Sequence, residues 1–205
     1  AKVAGLRLAQ VETRGPVQED ILKEIIRYVE LAHRLMMPAP PMLMLMHGVS
    51  GTGKTTVSTE LVKALGALRV RSDVERKRIH AEQRKVVVGQ GTSKSLYGSD
   101  MTRVTYDRLW DLSNTILQAG YSVIVDATFL EGAQRQSFIR LAQDRHVAVV
   151  IFDVWAPDEV LTERLASRAK QQTDASDATI GVMEEQKAKE EPLTGLEYGA
   201  TIRVD

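Results

Sequence analysis

Eight consecutive residues, Gly48-Val49-Ser50-Gly51-Thr52-Gly53-Lys54-Thr55, fit the spacing G-x-x-x-x-G-K-[ST]. Each residue type suits a phosphate. Glycines let the backbone turn until its N–H groups converge on an anion, and they keep Cβ atoms clear of it. A helix that starts at the loop adds free N–H groups and the positive end of its dipole. Lys54 is placed to reach the β- and γ-phosphates, and the Thr55 hydroxyl to ligate Mg²⁺. The expectation is a nucleoside triphosphate site with Mg²⁺, built from Gly48, Val49, Ser50, Gly51, Thr52, Gly53, Lys54, Thr55 and Thr56.

Further residues of suitable chemistry stand where strands should end. Asp73 closely follows the alternating segment Leu68-Arg69-Val70-Arg71. A carboxylate there can orient or deprotonate an attacking hydroxyl. It can equally cap the next helix. Arg76, three residues on, shares the helical face and can hold a phosphate or an acceptor. Asp126 closes the apolar run Val123-Ile124-Val125, with Thr128 in the same turn. A carboxylate at a buried strand end needs partners. Beside a phosphate loop the expected partner is Mg²⁺, directly or through water. Arg164 and Arg168 share one helical face. Arginine suits charge developing on a transferring phosphoryl group, and a surface ion pair with Asp158 or Glu163 is the alternative. Arg135 is a weaker acceptor-site candidate. His47, His80 and the other histidines lack metal-site spacing and read as structural or exposed. The basic stretch from Arg69 to Lys85 has no interleaved aromatics, so it reads as a solvated helix face rather than a nucleic-acid surface.

These groups need a scaffold. The apolar run from Met42 to Met46 predicts a buried strand that delivers the chain to the loop. Five of the seven methionines fall between Met36 and Met46 and read as core packing. Further strands are expected at Leu68–Arg71, Tyr121–Asp126, Val147–Trp155 and Thr201–Val204. Helices are expected at Thr56–Leu65 (Gly66 as C-cap), Val74–Lys85, Asp100–Ala119, Glu131–Arg145, Pro157 to about Lys170, and Thr179–Glu190. Val86–Ser99 and Gln171–Ala178 read as loops. Upstream, Ala1–Gln10 reads as a short helix with Val3, Leu6 and Leu8 on its apolar face. Apolar residues from Ile21 to Leu35 recur at helical spacing and predict an amphipathic helix that ends before Pro38. Repeated strand-loop-helix units predict an α/β fold: a parallel sheet covered on both faces, with ligands at the carboxyl ends of its strands. Residues 1–41 would form a helical extension and linker, and 42–205 one domain.

Composition excludes several classes. The 205 residues balance to zero formal charge, which gives no global argument for a nucleic-acid or membrane partner. There is no cysteine, so there are no disulfides or thiolate metal sites, and a reducing, cytoplasmic setting is expected. No apolar run is long enough to span a bilayer. Arg7 and Glu12 interrupt any signal-peptide pattern. The chain begins at Ala1, which agrees with processing or with a piece cut from a longer protein.

Together, the phosphate loop, SD-x-x-R at Ser72–Arg76, VIVDAT at Val123–Thr128 and R-x-x-x-R at Arg164–Arg168 resemble small P-loop kinases, in the polynucleotide kinase and zeta-toxin-like branch. That resemblance implies a P-loop NTPase three-layer sandwich with a parallel five-stranded sheet. It gives Asp73 the role of acceptor-hydroxyl base, Arg76 the acceptor side, and Arg164 and Arg168 the lid. LYGSDMTRVTYDRL, AGYSVIVDATFL and EEPLT are similar to the ATP-binding predicted-kinase half of bacterial bifunctional proteins with an aminoglycoside-phosphotransferase-like half upstream. Ala1–Gln10 would then end that upstream half. The implied activity is ATP-dependent phosphoryl transfer to a hydroxyl of a small acceptor. An ATP-binding regulatory module of a fused protein and a polynucleotide 5′-hydroxyl kinase are the alternatives.

Overall fold

A computed structural model describes residues 2–10, 15–36, 39–87, 99–171 and 179–205. These fall into two units, Ala1–Pro40 and Pro41–Asp205. The first holds α1 (Lys2–Ala9) and α2 (Pro16–Met36). α1 packs on α2, and its buried residue is Ala4, while Val3 and Leu6 are exposed. The short helix expected there is present, and the apolar residues Val3 and Leu6 stand exposed on it. On α2, Ile21 is buried, and Leu22, Ile26, Val29 and Leu31 are exposed.

The second unit runs β1 (Met42–His47), α3 (Lys54–Leu65), β2 (Leu68–Arg71), α4 (Ser72–Val87), α5 (Ser99–Gln118), β3 (Val123–Asp126) and α6 (Gly132–Asp144). It continues through β4 (Ala148–Val154), α7 (Asp158–Gln171), α8 (Ile180–Lys189), α9 (Gly195–Tyr198) and β5 (Thr201–Val204). The five strands form one sheet in the order β2-β3-β1-β4-β5, and every pairing is parallel. The fold expected from the sequence is the one observed.

Side-chain alternation along β1 explains the layers. Leu43 and Leu45 join Val123, Val125 and Ile151 beneath Leu109 and Leu117 of α5 and Phe138 and Leu141 of α6. Met44 and Met46, both fully buried, face the opposite side with Ile124 and Phe152, against Val57, Leu61 and Val62 of α3. The methionines from Met42 to Met46 are thus core and strand packing. A third cluster joins Val49 of the phosphate loop to Leu161 and Leu165 of α7 and Met183 of α8.

The entry into α4 and one short helix differ from the sequence reading. β2 passes into α4 with no intervening loop, so Ser72 and Asp73 are helical rather than preceding the helix. α9 was not foreseen: four residues closed by a capping box between Thr194 and Glu197. Gly66 does cap α3, at φ 64°, with its N–H on the Val62 carbonyl. The expected loops at Val86–Ser99 and Gln171–Ala178 lie mostly outside the described residues.

Candidate functional site

Gly48 stands between β1 and the loop at φ +124°, and a Cβ there would meet the Val154 carbonyl oxygen at 2.3 Å. Only glycine fits both the dihedral and the space. The Gly48 N–H donates to the Thr128 carbonyl at 3.1 Å, which ties the loop to the turn after β3. Thr52 Oγ1 donates to the Val49 carbonyl at 3.1 Å, and Lys54 Nζ folds back to the same carbonyl at 2.7 Å. Val49 anchors the loop in its apolar cluster. The loop thus closes around Val49, and α3 begins at its far end.

A cavity of about 460 Å³ opens at the carboxyl ends of β1, β2 and β3. Ser50, Gly51, Gly53, Lys54, Thr55 and Thr56 line one wall. Asp73 and Arg76 of α4 line it as well, and Asp126 and Thr128 arrive from the end of β3. Lys54, Thr55, Asp73, Arg76 and Asp126 therefore meet in one place. Gly48, Val49 and Thr52 lie behind that wall and shape it.

Asp126 is buried, and its Oδ2 accepts from Ser58 Oγ at 3.1 Å and lies 3.7 Å from Arg71 Nε. Arg69 in turn donates to Ser58 Oγ at 2.9 Å and Thr59 Oγ1 at 2.7 Å. Two arginines of β2 and a hydroxyl of α3 thus hold this carboxylate at the cavity wall. Thr55 and Asp126 offer hard oxygen donors on that wall, which suits Mg²⁺.

The arginines divide. Arg164 donates to the Gly51 and Thr52 carbonyls at 3.3 and 3.0 Å, so it braces the phosphate loop from outside the cavity lining. Arg168 follows one turn later on α7; its side chain lies outside the described residues. Arg135 is no acceptor-site residue. Its guanidinium is fully buried and paired to Glu197 Oε1 at 2.7 Å, and it donates to the carbonyls of Phe129, Leu130, Glu191 and Pro192. The segment from Glu191 is held in this clamp and does not line the cavity. His47 is buried and structural, with Nδ1 2.8 Å from Asp153 Oδ1. That hydrogen bond is the leading cause holding the Asp153 carboxyl below its ordinary value.

Two elements contribute residues that sequence reading missed. Tyr106 of α5 lines the cavity; its hydroxyl accepts the Phe129 N–H at 3.0 Å and lies 3.4 Å from Thr128 Oγ1. Burial pushes that phenol above its usual pKa despite both contacts. Val182, Glu185, Gln186 and Lys189 of α8 also line it. Their i, i+3, i+4, i+7 spacing puts them on one helical face, a signal that was readable. Gln186 Oε1 accepts the Ser50 N–H at 2.8 Å.

Known proteins share this architecture. A family model described as AAA domain matches residues 43–193. An uncharacterized protein of Mycobacterium tuberculosis (strain H37Rv) is 28% identical over 178 residues, covering 86% of this chain and 34% of that protein. The chain thus spans about a third of the length of the curated relatives it matches. A structure from Chloroflexus aurantiacus, provisionally assigned as a kinase, superposes with a TM-score of 0.61 at 23% identity, covering 82% of this chain and 89% of that one. A gluconokinase from Sinorhizobium meliloti 1021 superposes at 0.54 with 18% identity, covering 80% and 82%. At such identities the likeness is one of fold. With its phosphate loop inside a matched span that covers most of its length, the chain belongs to the AAA domain family.

Proposed function

We propose that this chain is an ATP-dependent phosphotransferase, a P-loop kinase acting on a hydroxyl of a small acceptor. The observation that carries the reading is the shared cavity: Lys54 and Thr55 line it together with Asp73 and Arg76. Lys54 and the loop N–H groups hold the β- and γ-phosphates. Thr55, with Asp126 in support, would hold Mg²⁺, which would supply charge neutralisation for the transferring phosphoryl group. The acceptor oxygen attacks the γ-phosphorus, the bond to the bridging β-oxygen breaks, ADP leaves, and the acceptor proton passes to Asp73. Arg76 steadies the acceptor, and Arg168, with Arg164 keeping the loop in shape, meets the transition-state charge. The neighbour named as a gluconokinase supports a hydroxylated acceptor. The polynucleotide kinase and zeta-toxin-like branch, a cytoplasmic setting and a phosphotransferase-like domain fused upstream complete the proposal.

The test is transfer of labelled γ-phosphate from Mg-ATP to a panel of sugars and sugar acids. Lys54→Ala should lower the rate by orders of magnitude. Asp73→Asn should spare nucleotide binding and abolish transfer. Full transfer by that variant would remove Asp73 from the mechanism. A second reading, an ATP-binding regulatory module, draws on the third of its relatives' length that the chain spans. It predicts Mg-ATP binding with no labelled product. Labelled oligonucleotide 5′ ends, with salt-sensitive affinity, would instead mark a polynucleotide kinase.

A further inference from the structure

Gln186 reaches the phosphate loop from a helix far along the chain. Its contact with Ser50 is directional: a backbone N–H can only donate, so the amide oxygen faces the loop and the Nε2 group faces elsewhere. Among the described residues, nothing accepts a hydrogen bond from that Nε2 group. Gln186 itself lines the cavity. The loop end it touches is the β/γ end, because the Lys54 ammonium sits on the carbonyl of Val49, the residue before Ser50. The helix is held in place for this contact. Met183 is buried in the cluster with Val49, Thr179 caps the N-terminus, and Lys187 pairs with Asp158 of α7.

We propose that Gln186 is a positioning residue for the terminal phosphate: Oε1 stays on the Ser50 N–H while Nε2 donates to a γ-phosphate oxygen. This rests on the nucleotide site proposed above and goes beyond it, since it makes α8 the element that separates a triphosphate from a diphosphate. Glutamate at this position keeps the acceptor for Ser50 but turns the donor into an anion. A merely structural brace would tolerate that exchange. A γ-phosphate ligand would not.

Calorimetry on the full chain reads the difference, with Mg²⁺ and either ADP or an ATP analogue non-hydrolysable at the β,γ-bridge. Loss of a charge-assisted hydrogen bond predicts an analogue affinity about ten- to a hundredfold lower in Gln186→Ala, and lower still in Gln186→Glu. ADP affinity should stay within about twofold in both, and Gln186→Glu should keep the wild-type Tm. Equal weakening toward both nucleotides, or wild-type analogue binding by Gln186→Glu, overturns the proposal. Tighter analogue binding by Gln186→Ala also overturns it, because the glutamine would then occupy the phosphate's place. A wild-type chain that binds neither nucleotide removes the site itself, a failure distinct from these.

Discussion

Arg135 shows what one residue can do away from the chemistry. It is fully buried, paired with Glu197, and donates to four backbone carbonyls around the turn after β3 and the segment after α8. Burial alone would raise the Glu197 pKa, but hydrogen bonds from Arg135 and Thr194 bring it below the ordinary 4.5. Its stabilising contribution is therefore complete above that value and is lost as pH falls through 4.5 toward the lowered folded value. Glu197→Gln leaves a buried cation without its charge partner, a loss of about 3–5 kcal/mol. For a chain of this size that is on the order of 10 °C in Tm. Thermal melts across pH should show this gap at neutral pH and a narrowing gap below about pH 4.5. A gap that stays constant into acid would mean the ion pair is not its source. The sequence suggested an acceptor role for Arg135 because it follows Asp126 on a helix. Its partner lies 62 residues later, a separation that no local pattern reports.

At the scale of elements, the turn after β3 is where the sheet, the phosphate loop and α5 meet. Thr128 takes the Gly48 N–H through its carbonyl, and Phe129, at φ 50°, donates its N–H to Tyr106. A non-glycine residue in the left-handed region persists only when its surroundings over-determine it. Here the Phe129 ring packs edge-on against both Tyr106 and Phe138. Tyr106→Phe keeps the ring contacts and removes the only oxygen that satisfies that N–H among the described residues. It should cost about 1–3 kcal/mol and weaken Mg-nucleotide binding through the displaced loop. Chemical denaturation and calorimetry check both, and an unchanged midpoint would sink the bracing role. Asp126 was legible because an apolar run closing in an acid is a local signal, and Asp73 because it closely follows the alternating segment Leu68–Arg71. Asp73 nonetheless lies inside α4, since β2 enters the helix directly and leaves no cap position before it. The cavity face of α8 was written at i, i+3, i+4 and i+7, yet a polar stripe resembles any solvated helix until the phosphate loop is seen against it.

For the whole molecule, the order β2-β3-β1-β4-β5 puts the phosphate-loop strand at the centre, with every core residue from Leu43 to Met46 fully buried. Central strands read as unbroken apolar runs, which is why this architecture was legible while its edges were less so. All three apolar clusters are built from residues between Met42 and Val204, and the family match begins at residue 43. Among the described residues, the first unit supplies Ala4 and Ile21 to the buried apolar set. We therefore propose that the second unit is self-sufficient: its size suits a single domain, and its sheet is covered on both faces by its own helices. A chain starting at Pro41 should unfold in one cooperative transition, with a Tm within about 4 °C of the full chain, and bind Mg-nucleotide with affinity within about twofold. Circular dichroism melts and calorimetry decide it. A Pro41 chain that melts without cooperativity would make the first two helices part of the fold. Cooperative melting with lost binding would make them part of the site.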